Sequence, residues 1–236
     1  GRVLGKIANC LRSRAQGVRD SARAALAAAA KGLGCKTLPQ VVQLLSNRLD
    51  RGFMTHVLGA TLFSLVDACV HGAAPDDVET ALDEIVPLLD ADIFGRAAEE
   101  RNVDAIRGAY QEAKRCRSHE VLTILAANAP CPRSLPALLS PVTRRLHAAD
   151  APSLKRQLEA CLTSVQKGLL NNPHASPEET LVLVHSVVND GISQEERQAE
   201  YDEAVAQGHL EVDTYTLGMK QRGEKEMGNR VWENGW

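Results

Sequence analysis

Four kinds of residue in this chain could do chemistry: paired carboxylates, dispersed histidines, dispersed cysteines and clustered arginines. Asp76-Asp77, Asp83-Glu84 and Glu99-Glu100 have the composition of a general acid–base pair. Acidic pairs are equally at home at helix starts and on solvated faces, where no catalysis is needed. Gly32-Leu33-Gly34-Cys35-Lys36-Thr37 resembles the end of a phosphate-binding loop. Its spacing is wrong, because Cys35 separates glycine from lysine, and a helix rather than a strand precedes it. His119-Glu120 lacks the second histidine four residues on that a zinc protease helix requires. The remaining histidines make no ligand pair; His56 fits packing on its neighbours, and His185 a core position on an apolar stripe. Cys10, Cys35, Cys69, Cys116, Cys131 and Cys161 stand far apart with no CxxC pair, which argues against zinc. Cys69 and Cys161 fall on apolar stripes, as reduced thiols do, and favour a reducing compartment, cytosol or nucleus. There is no GxSxG motif and no cysteine–histidine pair in recognisable context. An enzyme would have to gather its site from residues dispersed in sequence. No catalytic, cofactor-binding or metal residue is expected.

The arginines offer a different chemistry. Arg12, Arg14, Arg19 and Arg23 recur every few residues, close enough for several to share a helix face, and Arg48 and Arg51 end the next segment. Such a patch can bind phosphate backbones through charge. It can equally be a solvated face or a protein contact, and aromatic residues for stacking bases are scarce nearby. Lys114, Arg115 and Arg117 form a second patch with the same two readings. The net charge of −3 therefore hides blocks: basic before residue 57, acidic to 113, basic again to 190, then acidic. Alternating blocks suit an extended surface that meets different partners along its length.

The elements that must carry these residues read as helices. Aromatics are 3% of the 236 residues, and small residues carry the packing, with alanine densest between Ala22 and Ala30. Alanine is the strongest helix former, so closely packed helices are favoured over sheet. Apolar stripes at helical spacing recur: Val18, Ala22, Ala25, Leu26, Ala29 and Leu33, stopped by Gly32 and Gly34; then Leu38 to Leu49, with Pro39 in the first turn. The strongest runs from His56 to Val70. Val78 to Leu89 follows, where Pro87 should kink the helix or shift its boundary. Leu154 to Leu169 is another long stripe, and Leu181, Val184, His185 and Val188 a shorter one, opened by Ser176-Pro177-Glu178-Glu179. Short links between such helices make antiparallel hairpins. Wide stripes mean that most are covered on more than one side.

That is the pattern of an all-α fold, an α-solenoid of HEAT-like hairpins over residues 1–190. A compact all-α bundle is the alternative. Residues 191–236, acidic and interrupted by glycine, should form a tail that is flexible or ordered only on a partner. No apolar run is long enough to span a membrane. The opening Gly1-Arg2-Val3 has neither an initiating Met nor a signal peptide, so the chain reads as a piece of something longer.

Between about Ser21 and Ala127 the chain resembles a known family. Arg51-Gly52-Phe53 and His56-Val57-Leu58 head one helix; Asp92-Ile93-Phe94-Gly95 and Ala98-Glu99-Glu100 follow. Glu112-Ala113-Lys114, Ser118 and Val121-Leu122-Thr123-Ile124-Leu125 complete the series. In this order and spacing they resemble the C-terminal region of the U3 small nucleolar RNA-associated protein 20 family, also called the down-regulated-in-metastasis family. Arg101 stands where that pattern has lysine, and Cys116-Arg117-Ser118 where it has a basic residue, lysine and serine. The resemblance implies a non-catalytic scaffold of the small-subunit processome, the 90S pre-ribosome. Its partners would be pre-ribosomal RNA and assembly factors around the U3 ribonucleoprotein, its place the nucleolus, and its role processing towards 18S ribosomal RNA. It implies no cofactor and no small-molecule substrate. Asp92–Glu100 is expected to be a tight connection between helices, with Phe94 as a plug, Gly95 at the turn and Glu99 and Glu100 leading the next helix; a partner-docking loop is the alternative. A HEAT adaptor of another kind, such as a nuclear transport receptor or a phosphatase scaffold, is the second reading.

Overall fold

A computed structural model describes residues 2–49, 51–101, 103–146, 151–178 and 180–182, with His185 and Glu203. The chain divides into a unit of residues 1–180 and a unit of residues 181–236. In the second unit Leu181 and Val182 are exposed. Val184 and Val188 of the expected short stripe, and the 191–236 tail apart from Glu203, lie outside the described residues. Among the described residues the fold is all-α, and its only β-type pairing is an isolated bridge between Cys131 and Ala175. No described helix is long and apolar enough to cross a membrane.

In the first unit, α1 (Arg2–Cys10) leads to the alanine-rich α2 (Gln16–Leu33). Gly34 ends α2 at φ 85°, where its N–H donates to the Ala30 carbonyl at 2.9 Å; this left-handed backbone is open to glycine at little cost. A 3-10 turn (Cys35–Thr37) precedes α3 (Leu38–Ser46), whose second residue Pro39 needs no intrahelical donor. Next come α4 (Met54–Val70) and α5 (Pro75–Phe94), the latter started by Pro75 with Asp76 and Asp77 against the helix dipole. Pro87 does not shift the boundary of α5, which continues for seven residues beyond it to Phe94. Leu89, Asp92 and Ile93 continue the buried stripe past the proline, and their burial offsets the backbone bond that Pro87 lacks. Two short helices, α6 (Arg96–Glu100) and α7 (Asp104–Ala109), and a 3-10 turn (Gln111–Lys114) lead to α8 (Ser118–Asn128), α9 (Leu135–Leu146) and α10 (Pro152–Leu169).

Packing sets these helices in two layers. In one, α2 packs on α4, α4 on α8 and α8 on α10; in the other, α3 packs on α5 and α5 on α9. The layers join where α4 and α8 lie on α5 and where α9 meets α10. Each hairpin is thus buried by its neighbours, the arrangement of a helical repeat. Leu26, Leu45, Leu62, Leu65, Ile85, Leu89 and Leu122 form the centre.

Helices α8 and α10 approach closely at Gly168. A Cβ on Gly168 would lie 2.4 Å from the Thr123 carbonyl oxygen and 2.6 Å from the Ala126 methyl, so only glycine allows it. Just beyond α10, the buried Asn172 amide donates to the Ala126 and Ala129 carbonyls at 2.7 and 2.8 Å. These are carbonyls that the end of α8 leaves without intrahelical partners.

Candidate interaction surface and its buried supports

Two buried polar clusters hold the segments that the sequence marks out. The first surrounds Asp92, in the last turn of α5 and 6% exposed. Arg101 ion-pairs with its carboxylate and donates to its backbone carbonyl at 2.7 Å. Ser118 Oγ, at the start of α8, donates to Asp92 Oδ2 at 2.5 Å, and Cys116 Sγ lies 3.3 Å from the same oxygen. Gly59 of α4 lets the carboxylate pack against the helix, since a Cβ there would sit 3.2–3.3 Å from all three carboxyl atoms. His56, fully buried one turn earlier, has Nε2 3.3 Å from Glu100 Oε2 but in poor alignment, leaving both ring nitrogens without a hydrogen bond. Burial, reinforced by the nearby Arg101 charge, lowers the His56 pKa below its usual value. Burial beside Asp92 raises the Cys116 thiol to about 11, so it stays protonated and unreactive at neutral pH.

The second cluster centres on Glu112, in the 3-10 turn before α8. Arg19 reaches it in a bidentate grip, Nε to Oε1 and Nη2 to Oε2, both 2.8 Å. Arg23 Nη2 adds a bond to Oε1 at 2.8 Å and its Nη1 donates to Asp20. The free Nη1 of the Arg19 fork donates to the Ser13 and Arg14 carbonyls at 3.1 and 3.0 Å, so one guanidinium staples the α1–α2 loop to the turn at 112. Burial pushes the Glu112 carboxyl up, yet the arginine hydrogen bonds outweigh it and hold the pKa down at about 2. The Tyr110 ring lies 5.6 Å from the Arg19 guanidinium carbon and stacks on Phe53 with centroids 4.2 Å apart.

This geometry separates the basic candidates. Arg19 is 1% exposed, so the expected shared basic face on α2 is corrected there: its side chain turns inward because Glu112 and two loop carbonyls need a buried donor. Arg23 is mostly covered and paired, and Arg48 donates to the Gly5 carbonyl and Asn9 side chain of α1. Arg117 lies over the Phe63 ring at 3.9 Å and pairs with Glu120, as does the more exposed Arg115. Arg12, Arg14, Arg51 and Lys114 are exposed. Arg115 and Arg117 border a polar groove of about 200 Å³ with Gln16, Ser64 and Gln111.

The segment Asp92–Glu100 departs in detail from the expected connection. Asp92, Ile93 and Phe94 are the final turn of α5, and Glu99 and Glu100 end rather than lead α6. Gly95 joins the two helices at φ −90°, and its glycine is required by closeness: a Cβ would meet the Ala91 carbonyl oxygen at 2.5 Å. Phe94 is half-buried under Arg145 of α9, at 4.4 Å, while Arg145 also grips Asp90.

Sequence reading passed over Tyr110 and the structural use of Glu112, Arg101 and Cys116. A signal was present for the buried charges. Arg19 is in helical register with Ala22, Leu26 and Ala30, and Asp92 with Ile85 and Leu89, so both sit on buried stripes and require an opposite charge. Among the described residues no set of three His, Cys, Asp or Glu side chains is placed to hold a metal. A larger cleft, about 480 Å³ and mostly apolar, lies between α3, α4 and α5 with Leu49, Leu62 and Leu88 in its walls.

Similarity to known proteins runs through both clusters. The chain is 26% identical over 215 residues to the U3 small nucleolar RNA-associated protein 20 of Schizosaccharomyces pombe, covering 91% of this chain and 9% of that protein. To the protein of the same name from Saccharomyces cerevisiae it is 29% identical over 189 residues, covering 80% of this chain and 8% of the relative. The chain therefore spans under a tenth of the length of these curated relatives. The model of the U3 small nucleolar RNA-associated protein 20 domain matches residues 1–188, which include every helix from α1 to α10. The chain belongs to the U3 small nucleolar RNA-associated protein 20 family.

Proposed function

We propose that this chain is a non-catalytic scaffold segment of the small-subunit processome, the 90S pre-ribosome. There it supports processing of pre-ribosomal RNA to 18S ribosomal RNA and assembly of the 40S subunit. The observation that carries this reading is the family match over residues 1–188, with relatives named for their association with U3 small nucleolar RNA. The physical chemistry supports a scaffold. Asp92 and Glu112, the buried carboxylates of the two clusters, spend their lone pairs on internal donors, which fixes helices relative to one another. The buried thiols Cys69 and Cys161 and the half-buried Cys116 are pushed up to about 11, 12 and 11 and are poor nucleophiles at neutral pH. Stacked hairpins offer broad surfaces instead, suited to pre-ribosomal RNA and assembly factors in the nucleolus.

Affinity purification of the tagged full-length protein, with RNA sequencing and mass spectrometry, tests the proposal. Enrichment of U3 RNA, 18S precursors and processome proteins is the expected result. Recovery of a small GTPase with Phe-Gly repeat proteins, or of a phosphatase catalytic subunit, without pre-ribosomal RNA would replace it with the HEAT adaptor reading.

A further inference from the structure

Two basic patches nearly a hundred residues apart in sequence are brought together by one buried side chain. The Arg19 guanidinium bonds the Ser13 and Arg14 carbonyls on one side and the Glu112 carboxylate on the other. Arg12 and Arg14 therefore flank one face of this staple, and Lys114 and Arg115 follow Glu112 by two and three residues on the other. All four are exposed. The layer beneath them is balanced, because Arg19 and Arg23 are matched by Glu112 and Asp20. Arg115 shares Glu120 with Arg117, and Asp20, paired with Arg23, lines the groove beside them. The surface charge of the rim is thus net positive, held in place by a core that contributes none.

We infer that Arg12, Arg14, Lys114 and Arg115 form one composite rim that binds the phosphate backbone of a single-stranded stretch of RNA. The inference rests on the scaffold reading above and assigns its RNA contact to a surface. Charge alone would suit an acidic peptide as well. The groove beside the rim favours RNA: Gln16, Gln111 and Ser64, with Asp20 and Glu112 already neutralised by Arg19 and Arg23, supply donors and acceptors next to Arg115 and Arg117, as a ribose 2′-hydroxyl or a base edge needs. The Tyr110 ring, stacked on Phe53, lies against the Arg19 guanidinium and adds a packed contact to the staple.

Ultraviolet crosslinking of the tagged full-length protein in cells, with mapping of RNA-bearing peptides and sequencing of the RNA, tests this. The comparison is wild type against Arg12→Gln/Arg14→Gln/Lys114→Gln/Arg115→Gln, and against a control, Lys155→Gln/Arg156→Gln, on exposed cations of α10. Crosslinks at 12–14 and 114–115, a loss of about tenfold in the rim variant and none in the control are expected. Co-purifying proteins should be unchanged, which also reports that the variant folds. In the variant the dependence of log RNA retention on log salt should fall by about 3, from roughly 0.7 for each of four phosphates. Crosslinking of the rim to an acidic protein, or an equal loss in the control, overturns the inference while recovered U3 RNA and 18S precursors leave the scaffold reading intact. Absence of those RNAs from the wild type overturns the scaffold reading instead, and a different RNA crosslinked at the same four residues would still uphold the rim.

Discussion

At position 112 a carboxylate accepts from Arg19 and Arg23 together, so Glu112→Gln removes the anion facing a guanidinium that is almost wholly withdrawn from water. Breaking one partner of a buried pair costs about 3–5 kcal/mol, because the remaining charge keeps its desolvation penalty. Chemical denaturation of wild type and Glu112→Gln should show a loss of that size, whereas Arg12→Gln, at an exposed site, should fall within about 0.5 kcal/mol of wild type. The pH dependence carries a matching signature. Glu112 has a folded-state pKa of about 2 against an ordinary 4.5, so its contribution is complete above 4.5 and is lost as pH falls towards 2. The variant should lack that decline. His56 acts in a higher window. Its folded pKa lies below 6.5, through burial first and Arg101 second, so its contribution is present above 6.5 and fades as pH falls through the lowered value. Stability measured from pH 7.5 to 5 should therefore fall in wild type, and less steeply in His56→Gln. Arginines were legible in the sequence as a basic series, but not their division into rim and clamp. Partner choice depends on which segment folds back 93 residues later, and helical spacing within one segment holds no record of that.

Between elements, contact is decided by how near two backbones can come, and glycine sets that limit for α8 and α10. Gly168→Ala would drive a methyl into the Thr123 carbonyl and Ala126, atoms of helix backbone and core that cannot swing aside. Overpacking of this kind costs about 1–3 kcal/mol, and more if the helices separate. Gly32→Ala near the end of α2 meets nothing within 4 Å and should gain about 0.5–1 kcal/mol from helix propensity alone. Thermal melts of the two variants should move in opposite directions; a fall in both would show that α2 is not helical at Gly32. Several helices were legible from their stripes: α3, α4 and α5 bury the apolar residues expected of them. In α2 the register was misjudged, because Val18 and Leu33 are 45% and 54% exposed while Arg19, Ala22, Leu26 and Ala30 face inward. Alanine on nearly every face gives a helix without saying which face is buried, and the tie was broken by Glu112 and the neighbouring α4. Helices α1, α7 and α9 were not read from a stripe, and α1 and α7 are too short to show a repeated one.

For the whole unit, stability should be graded along the stack, because a hairpin in a repeat is held chiefly by its neighbours. Helices α4, α5 and α8 have packed helices on both sides within their layers or across them, and they carry the buried cluster around Asp92. α1 has α2 and α3 beside it, and exposes Val3 at its outer face. α7 buries no residue at all. Amide hydrogen exchange should follow that order, slowest in α4, α5 and α8, faster in α1 and fastest in α7. The two clusters impose a further condition: Glu112→Gln should accelerate exchange in α2 and in the 111–114 turn together, since Arg19 is their shared staple, and should spare α10. Uniform exchange across all these helices would mean that the unit opens as one block. Acceleration confined to 111–114 would mean that α2 is held by its alanine face against α4 without the arginine. Coupled opening of α2 and the turn is the expected result. It would make the buried Arg19–Glu112 pair the support on which the exposed cations at 12, 14, 114 and 115 keep their common edge.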